Sequence, residues 1–188
     1  MNIRFRGWLP ALGAWMLLSA AAEGAEWHVR PGESIAQTLR QAHAGDTIVV
    51  ERGDYHEHLL IDKPLTLRGH DRPTLSGGDR GDVIRVTAPD VTIEGLIVRD
   101  SGFDLTAQNA GIYIQPGAHR ARVRRNDLVY NLFGLWIEGV QDVEIAGNLI
   151  TGRRDLQSAQ RGNGIQLYNT TGARILDNHV SFTRDGIY

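Results

Sequence analysis

The feature that most constrains this chain is a repeat of unequal period. An apolar residue recurs three positions before a fixed corner, at Ile93/Leu96, Val123/Asn126, Ile145/Asn148 and Ile175/Asn178. A second string recurs as Gly111-Ile-Tyr-Ile, Gly134-Leu-Trp-Ile, Gly164-Ile-Gln-Leu and Gly186-Ile-Tyr. From 96 to 126, 126 to 148 and 148 to 178 the steps are 30, 22 and 30 residues; between the glycines, 111 to 134, 134 to 164 and 164 to 186, they are 23, 30 and 22. The unit is therefore a coil of 22 residues that gains eight in alternate copies. Strands this short cannot bury a face alone, so the repeat implies an all-β solenoid of stacked coils.

The additional residues fall at one corner of the coil. Two long loops result, Arg99–Ala110 and Gly152–Asn163, while the intervening and following coils turn tightly between Leu128 and Leu135 and between Val180 and Ile187. Stacked strands lie about 4.7–4.9 Å apart, so loops separated by one short coil project side by side. Recognition concentrates in loops held by a rigid scaffold, which makes this corner the first place to look for function. The loops carry Asp100, Asp104, Gln108 and Asn109 on one side, and Asp155, Gln157, Gln160, Arg161 and Asn163 on the other. Alternation along the second string turns Ile112, Leu135 and Ile165 inward and Tyr113, Trp136, Gln166 and Tyr188 outward. That outward column has two readings: an open platform for a sugar ring or a partner protein, or cross-strand packing beneath the loops.

Residues 1–25 read as a secretory signal, with Arg4 and Arg6 ahead of an apolar stretch, Leu9–Ala22. The stretch is too short for a spanning helix, and nothing later resembles one. Residues 26–188 form the second unit. Within it Glu26–Arg30 reads as a first strand, followed by a helix capped by Ser34 whose face is Ile35, Leu39 and Ala42 and whose end is Gly45. A short amphipathic helix at the end of a solenoid plugs an otherwise open core. Strands follow at Thr47–Val50, Leu59–Ile61, Leu65–Leu67, Val83–Val86 and Val91–Glu94, the last opening the four regular coils. The chain stops within a strand string at Gly186-Ile187-Tyr188, which reads as the first part of a longer protein, incomplete at its C-terminal end.

Loss of residues 1–25 removes Arg4, Arg6 and Glu23, so 20 basic groups become 18, 22 acidic groups become 21, and the net charge is −3. That mild balance argues against nucleic acid as a partner. There is no cysteine, and both methionines, Met1 and Met16, lie in the signal, so the remainder has no sulfur ligand. His56 and His58 are a weak metal-ligand candidate, placed on one face of a strand by their spacing. Arg120, Arg122, Arg124 and Arg125 form a basic edge, solvated or available to an acidic partner. Asn126, Asn148 and Asn178 read as a corner ladder that bonds backbone groups. A pair of loop carboxylates would suit an inverting glycosidase if held ~6.5–9.5 Å apart, but loop acids are ordinarily solvated.

The runs Asp104-Leu-Thr-Ala-Gln108, Gln160-Arg-Gly-Asn-Gly164-Ile and Thr183-Arg-Asp-Gly-Ile-Tyr188 closely resemble the NosD family of periplasmic maturation factors for nitrous oxide reductase. The resemblance covers roughly Val83 to Tyr188, including both long loops. It implies a right-handed parallel β-helix, residence in the periplasm, and work beside an ABC transporter (an ATPase and a membrane subunit) in assembling the reductase's copper–sulfur centre. Copper is then a transient cargo, with no resident cofactor and no catalytic residue. Cu(I) favours sulfur, so imidazole contact, copper handling elsewhere in the protein, or pure docking all remain open. The competing expectation is a carbohydrate-binding or polysaccharide-active β-helix of glycosidase, lyase or epimerase type, since fold alone does not separate the two.

Overall fold

A computed structural model describes residues 24–188. The signal segment therefore lies, but for its last two residues, outside the described residues. The chain runs β1 (Glu26–Val29), α1 (Ile35–Gln41), then five complete coils of three strands each. These are β2 (Thr47–Val50), β3 (Asp54–Tyr55) and β4 (Leu59–Ile61); β5 (Thr66–Gly69), β6 (Thr74–Ser76) and β7 (Ile84–Val86); β8 (Thr92–Glu94), β9 (Ile97–Arg99) and β10 (Ala110–Ile114); β11 (Arg122–Arg124), β12 (Asp127–Asn131) and β13 (Phe133–Glu138); and β14 (Glu144–Ala146), β15 (Leu149–Gly152) and β16 (Ile165–Tyr168). A last turn contributes β17 (Arg174–Leu176) and β18 (His179–Ser181).

Each coil places one strand in each of three parallel sheets. The first sheet is β1-β2-β5-β8-β11-β14-β17, the second β3-β6-β9-β12-β15-β18, and the third β4-β7-β10-β13-β16. In addition to a second column in the third sheet, Ile61, Val86, Ile114 and Ile137, each sheet gives the core one apolar column, in register. In the first sheet it is Ile48, Leu67, Ile93, Val123, Ile145 and Ile175. In the second it is Tyr55, Leu75, Val98, Leu128, Ile150 and Val180. In the third, Ile84, Ile112, Leu135 and Ile165 follow one another, and Ile187 bridges to Ile165. A slip of one residue would turn any of these columns to solvent, so the period-two alternation fixes the register that the repeat suggested. The regular coils begin earlier than expected, at Thr47 rather than Val91, because Ile48 and Leu67 already occupy the same column as Ile93.

Helix α1 packs on β1, β2 and β4 and buries Ile35 and Leu39 over the end of the core, with Ala42 beside them. Both of its ends are tied to the first coil. The Glu57 carboxylate accepts from Ile35 N and Ala36 N, each at 3.0 Å, and from Ser34 Oγ at 2.8 Å, while Ser34 Oγ accepts from Gln37 N. Lys63 Nζ donates to the Leu39 and Ala42 carbonyls at 3.1 and 3.0 Å. The orphan donors and acceptors of a short helix are thereby satisfied. The helix stops at Gln41 with Ala42 as its cap, not at Gly45. Lys63 occupies the place a glycine cap would take, and Gly45, with φ +91°, belongs to the turn into β2.

The asparagine ladder is as expected. Leu96 N, Asn126 N and Asn148 N donate to the Oδ1 atoms of Asn126, Asn148 and Asn178, at 3.0, 3.0 and 2.9 Å. Their Nδ2 atoms donate back to the carbonyls of Ile93, Val123 and Ile145. The ladder stitches the corner between the first and second sheets. The glycine ladder serves close approach: a Cβ on Gly134 would lie 2.5 Å from the Gly164 carbonyl oxygen, and neither residue has a positive φ. His56 and His58 lie not on a strand but in the crossover between β3 and β4. His58 Nδ1 is 2.7 Å from the Asp82 carbonyl oxygen, and His56 is exposed. Two-residue β3 ends at Tyr55, whose side chain turns into the core and whose hydroxyl bonds the Val29 and Glu51 carbonyls, so the chain bends before the pair.

Candidate functional site: a roofed corner

Crossovers from the second to the third sheet vary far more than those at the other corners. They comprise residues 56–58, 77–83, 100–109, the single residue Leu132, 153–164 and 182–186. The long loops of the third and fifth coils lean over the one-residue turn between them. Ser101 Oγ accepts from Leu132 N at 2.9 Å, and Asn131 Oδ1 accepts from Ser101 N. From the other side Gly162 N donates to the Leu132 carbonyl, and Phe133 N donates to that of Asn109. A Cβ on Gly162 would sit 2.6 Å from the Leu132 oxygen and 2.7 Å from Phe133 Cγ, so only glycine lets the second loop come this close.

Beneath the loops lies a second apolar cluster, separate from the coil core: Ala110, Tyr113, Leu132 and Phe133, with Trp136 and Leu156 at its edge. Trp136 meets Phe133 edge-on at 5.0 Å between centroids and Tyr113 at 6.3 Å. The column Tyr113, Trp136 and Gln166 does face out of the coil in register. It is not an open platform, however: Tyr113 and Gln166 are buried, and only Tyr188 stands fully exposed. Packing under the loops is the reading that holds, because ten to twelve residues of loop suffice to cover three coils.

The polar groups of the column are paired. Tyr113 OH donates to Glu138 Oε2 at 2.7 Å and lies 3.4 Å from Gln108 Oε1, and Trp136 Nε1 donates to Glu138 at 3.3 Å. Burial, with the bond to Glu138 second, pushes the Tyr113 phenol up to about 12. The Arg85 guanidinium lies 4.9 Å from the Tyr113 ring centroid and is held by Asp82, whose other oxygen accepts from Ala110 N.

Arg153 closes the roof. It is 8% exposed, its guanidinium 3.9 Å from the Phe103 ring centroid. Nη1 donates to Asp79 in the 77–83 crossover at 2.8 Å, and Nε and Nη2 donate to Asp155 at 3.2 and 2.9 Å. The bonds from Arg153 hold the Asp155 carboxyl below the usual carboxylate range. One side chain thus joins three crossovers: through Asp79, through Phe103, and through its own loop.

The remaining loop residues are committed to shaping the roof. Asp104 Oδ1 accepts from Thr106 N and Ala107 N, and Asn109 Oδ1 accepts from Asp104 N. Asp100 accepts from Ser76 Oγ. Gln157 opens a single 3₁₀ turn, Ser158–Gln160, and Arg161 Nε donates to the Leu156 carbonyl. Asn163 Nδ2 donates to Gln166 Oε1 at 2.6 Å, while its Oδ1 accepts from Asp185 N in the next coil. The eleven candidate residues do gather at one corner. The carboxylates of Asp104 and Asp155 are engaged separately, one by its own turn and the other by Arg153. Asp79, Phe103, Arg153, Leu132 and Glu138 were not singled out from the sequence. Among the described residues no three His, Cys, Asp or Glu side chains converge as a metal site.

A triangular stack of parallel coils with loops built over one corner defines the class of right-handed β-helix proteins, and the family model described as "Right handed beta helix region" matches residues 81–188. Three curated relatives share the printed name "Probable ABC transporter binding protein NosD". One from Stutzerimonas stutzeri is 34% identical over 182 residues, 97% of this chain and 40% of that protein. One from Pseudomonas aeruginosa is 38% identical over 134 residues, 71% of this chain and 31% of that protein. Another from P. aeruginosa is 33% identical over 106 residues, 56% of this chain and 93% of that sequence. The chain belongs to the NosD family of β-helix proteins. It spans 40% of the length of the S. stutzeri relative. Among solved structures, a pectin methylesterase variant in complex with a hexasaccharide aligns over 80% of this chain and 66% of its own at a TM-score of 0.52. PemA, a pectin methylesterase from Erwinia chrysanthemi, aligns over 82% and 67% at 0.50. Both are 18% identical and share the fold alone. No described helix is long and apolar enough to cross a membrane.

Proposed function

We propose that this chain is a periplasmic docking and cargo-handling module that works with an ABC transporter in assembling the copper centre of nitrous oxide reductase. The observation that carries the reading is the match to a relative named as a probable ABC transporter binding protein across 97% of the chain, both roof loops included. The roof fits a docking role. It is a rigid, loop-built relief whose charged groups are fixed by one another, and preorganisation of this kind lowers the cost of association.

In this reading the corner performs no acid–base chemistry, since Asp104 and Asp155 hold the roof rather than flank a bond to be cleaved. Nor does it store copper. With no cysteine, and with both methionines at positions 1 and 16, the coils offer imidazole and oxygen where Cu(I) prefers sulfur. Copper is cargo of the assembly, passed between partners that this module holds in place. The test is affinity capture of the tagged full-length protein from periplasmic and membrane fractions of denitrifying cells, probed for both transporter subunits and for the reductase. Recovery of the transporter together with apo-reductase is the expected result. Capture of neither, or consumption of pectin or another polysaccharide by the purified protein, would overturn the reading in favour of a polysaccharide-active β-helix.

A further inference from the structure

The first sheet forms the side of the triangle opposite the roofed corner, and its outer face from the second coil onward is dominated by arginine. In register across the strands, one outward row reads Thr66, Thr92, Arg122, Glu144, Arg174 and the next Arg68, Glu94, Arg124, Ala146, Leu176. Arg125 adds a fifth guanidinium at the rim. Glu94 accepts from Arg68 Nε at 3.0 Å and from Arg125 Nη2 at 2.6 Å. Glu144 accepts from Arg124 Nε at 2.7 Å, with Arg174 Nη1 at 4.0 Å. The glutamates are sunk at 14% and 19% exposure, while Arg125 and Arg174 stand at 67% and 68%. Arg122 is exposed and makes no ion pair among the described residues. Five arginines thus lie over two covered glutamates, with Asp177 at the edge, on a chain whose net charge is −2. Towards the N-terminal end the character changes, because Glu26 and Glu51 there hold His28 and His70.

We infer that this face docks an acidic protein surface, at the same time as the roofed corner is engaged elsewhere. The occupant follows from the chemistry of the face. Each of Arg68 and Arg125 donates through one nitrogen to Glu94, which orients the guanidinium and leaves other N–H groups for a second carboxylate. Planar, oriented forks match carboxylates in bidentate fashion. A membrane surface would call for apolar or aromatic anchors. From the second coil onward the face has none beyond Leu176, its remaining uncharged outward residues being threonine and alanine. The chain's single lysine, Lys63, is spent on the helix end. Because the face and the roof lie on opposite sides of a rigid solenoid, two partners bind without contact, which makes the module a bridge. The bridge rests on the docking role proposed for the roof, while the acidic-partner face stands without it.

The test titrates the full chain with poly-L-glutamate at low ionic strength, where charge attraction is least screened. It compares wild type with Arg122→Glu/Arg174→Glu, and with Arg80→Glu/Arg184→Glu as an equal charge change at the opposite corner. Neither Arg122 nor Arg174 holds a close bond within the sheet, so the first pair keeps the Glu94 bridges and the fold, checked by its melting temperature. The expected result is salt-sensitive binding by wild type, weakened at least about tenfold by the first pair and less than about twofold by the second. Equal weakening by both pairs, or absence of binding by wild type, would overturn the inference. So would binding to phosphatidylglycerol vesicles but not to polyglutamate, lost with the first pair, which would make the face a membrane contact.

Discussion

Arg153 Nη1 donates to Asp79 Oδ1 at 2.8 Å, joining crossovers of the fifth and second coils across the two coils between them. Neighbouring coils of a solenoid are ordinarily coupled only to each other, and this bond is a coupling of longer range. Replacing Arg153 by Met removes the guanidinium that lies over Phe103 and leaves Asp79 and Asp155 without their partner. Arg153 lies in the 153–164 crossover and pairs with two half-exposed carboxylates, so the melting temperature should fall by only a few degrees, consistent with about 1–2 kcal/mol for a partly exposed network. The roof should open locally, because loop stability is separable from global stability. Chymotrypsin should then cut after Phe103 or Leu156 several times faster than in wild type. Unchanged cleavage would mean that the roof is held by the Leu132 turn alone.

The asparagine ladder carries global stability instead. Asn148, itself 1% exposed, accepts from Asn126 N at its Oδ1 and donates from its Nδ2 to the Val123 carbonyl. Asn148→Ala leaves a buried N–H and a buried C=O unpaired, each at a cost of about 1–3 kcal/mol. Equilibrium unfolding in urea should show a loss of roughly 2–6 kcal/mol. A loss below about 1 kcal/mol would indicate that water replaces the side chain.

Most of the fold was legible because inward columns and corner asparagines obey a period, and a period survives without coordinates. Ile112, Leu135, Ile165 and Ile187 stack as their spacing required. What escaped was whatever broke the period. The first two coils lack the asparagine corner, their equivalents of Leu96 lying in turns with Arg52-Gly53 and Asp71-Arg72, so they read as isolated strands. The roof's location followed from loop length, but its mechanism did not. Asp79 and Arg153 are 74 residues apart, and nothing local marks them as partners. The alignment of Leu75 with Val98 was the usable signal, since it puts the Gly77–Gly81 turn at the same corner as the long loops.

The N-terminal end should respond to pH through Glu51. Its two oxygens meet His28 Nδ1 and His70 Nδ1, each at 2.8 Å. The bond to Glu51 is the main cause that raises both imidazoles above 6.5. A group with a raised folded-state pKa stabilises the fold fully below its unfolded value, and that contribution is lost as pH rises through the folded value. The tie between β1 and β5 should therefore be complete below about pH 6.5 for as long as Glu51, held low by the two imidazoles, stays ionised, and weaken above it. Proton NMR titration of the imidazole resonances checks this. Glu51→Gln should lower both pKa values, and an unchanged pair would mean that the carboxylate does not act on them.

The two function classes ask different things of the roofed corner. An enzyme depends on a carboxylate whose loss abolishes turnover at nearly unchanged binding, whereas a docking relief depends on aromatic and arginine anchors. In the docking reading Trp136 and Arg161, both only partly buried, are the candidate anchors at its edge. Asp104 accepts from Thr106 N and Ala107 N, and asparagine can accept the same bonds, so Asp104→Asn isolates charge from shape. Asp155→Asn does not, because it also weakens Arg153. In cells carrying the full-length protein, Trp136→Ala with Arg161→Ala should reduce reductase activity and its copper absorption at least about tenfold, the loss expected for one or two anchors of about 1–2 kcal/mol each. Asp104→Asn should leave both intact. Leu156→Ala separates docking from roof stability, since it loosens the same cluster without removing an anchor and should have a smaller effect. Full assembly with the Trp136/Arg161 pair would remove docking from this corner, and a polysaccharide-cleaving activity abolished by Asp104→Asn would move the protein to the enzyme class.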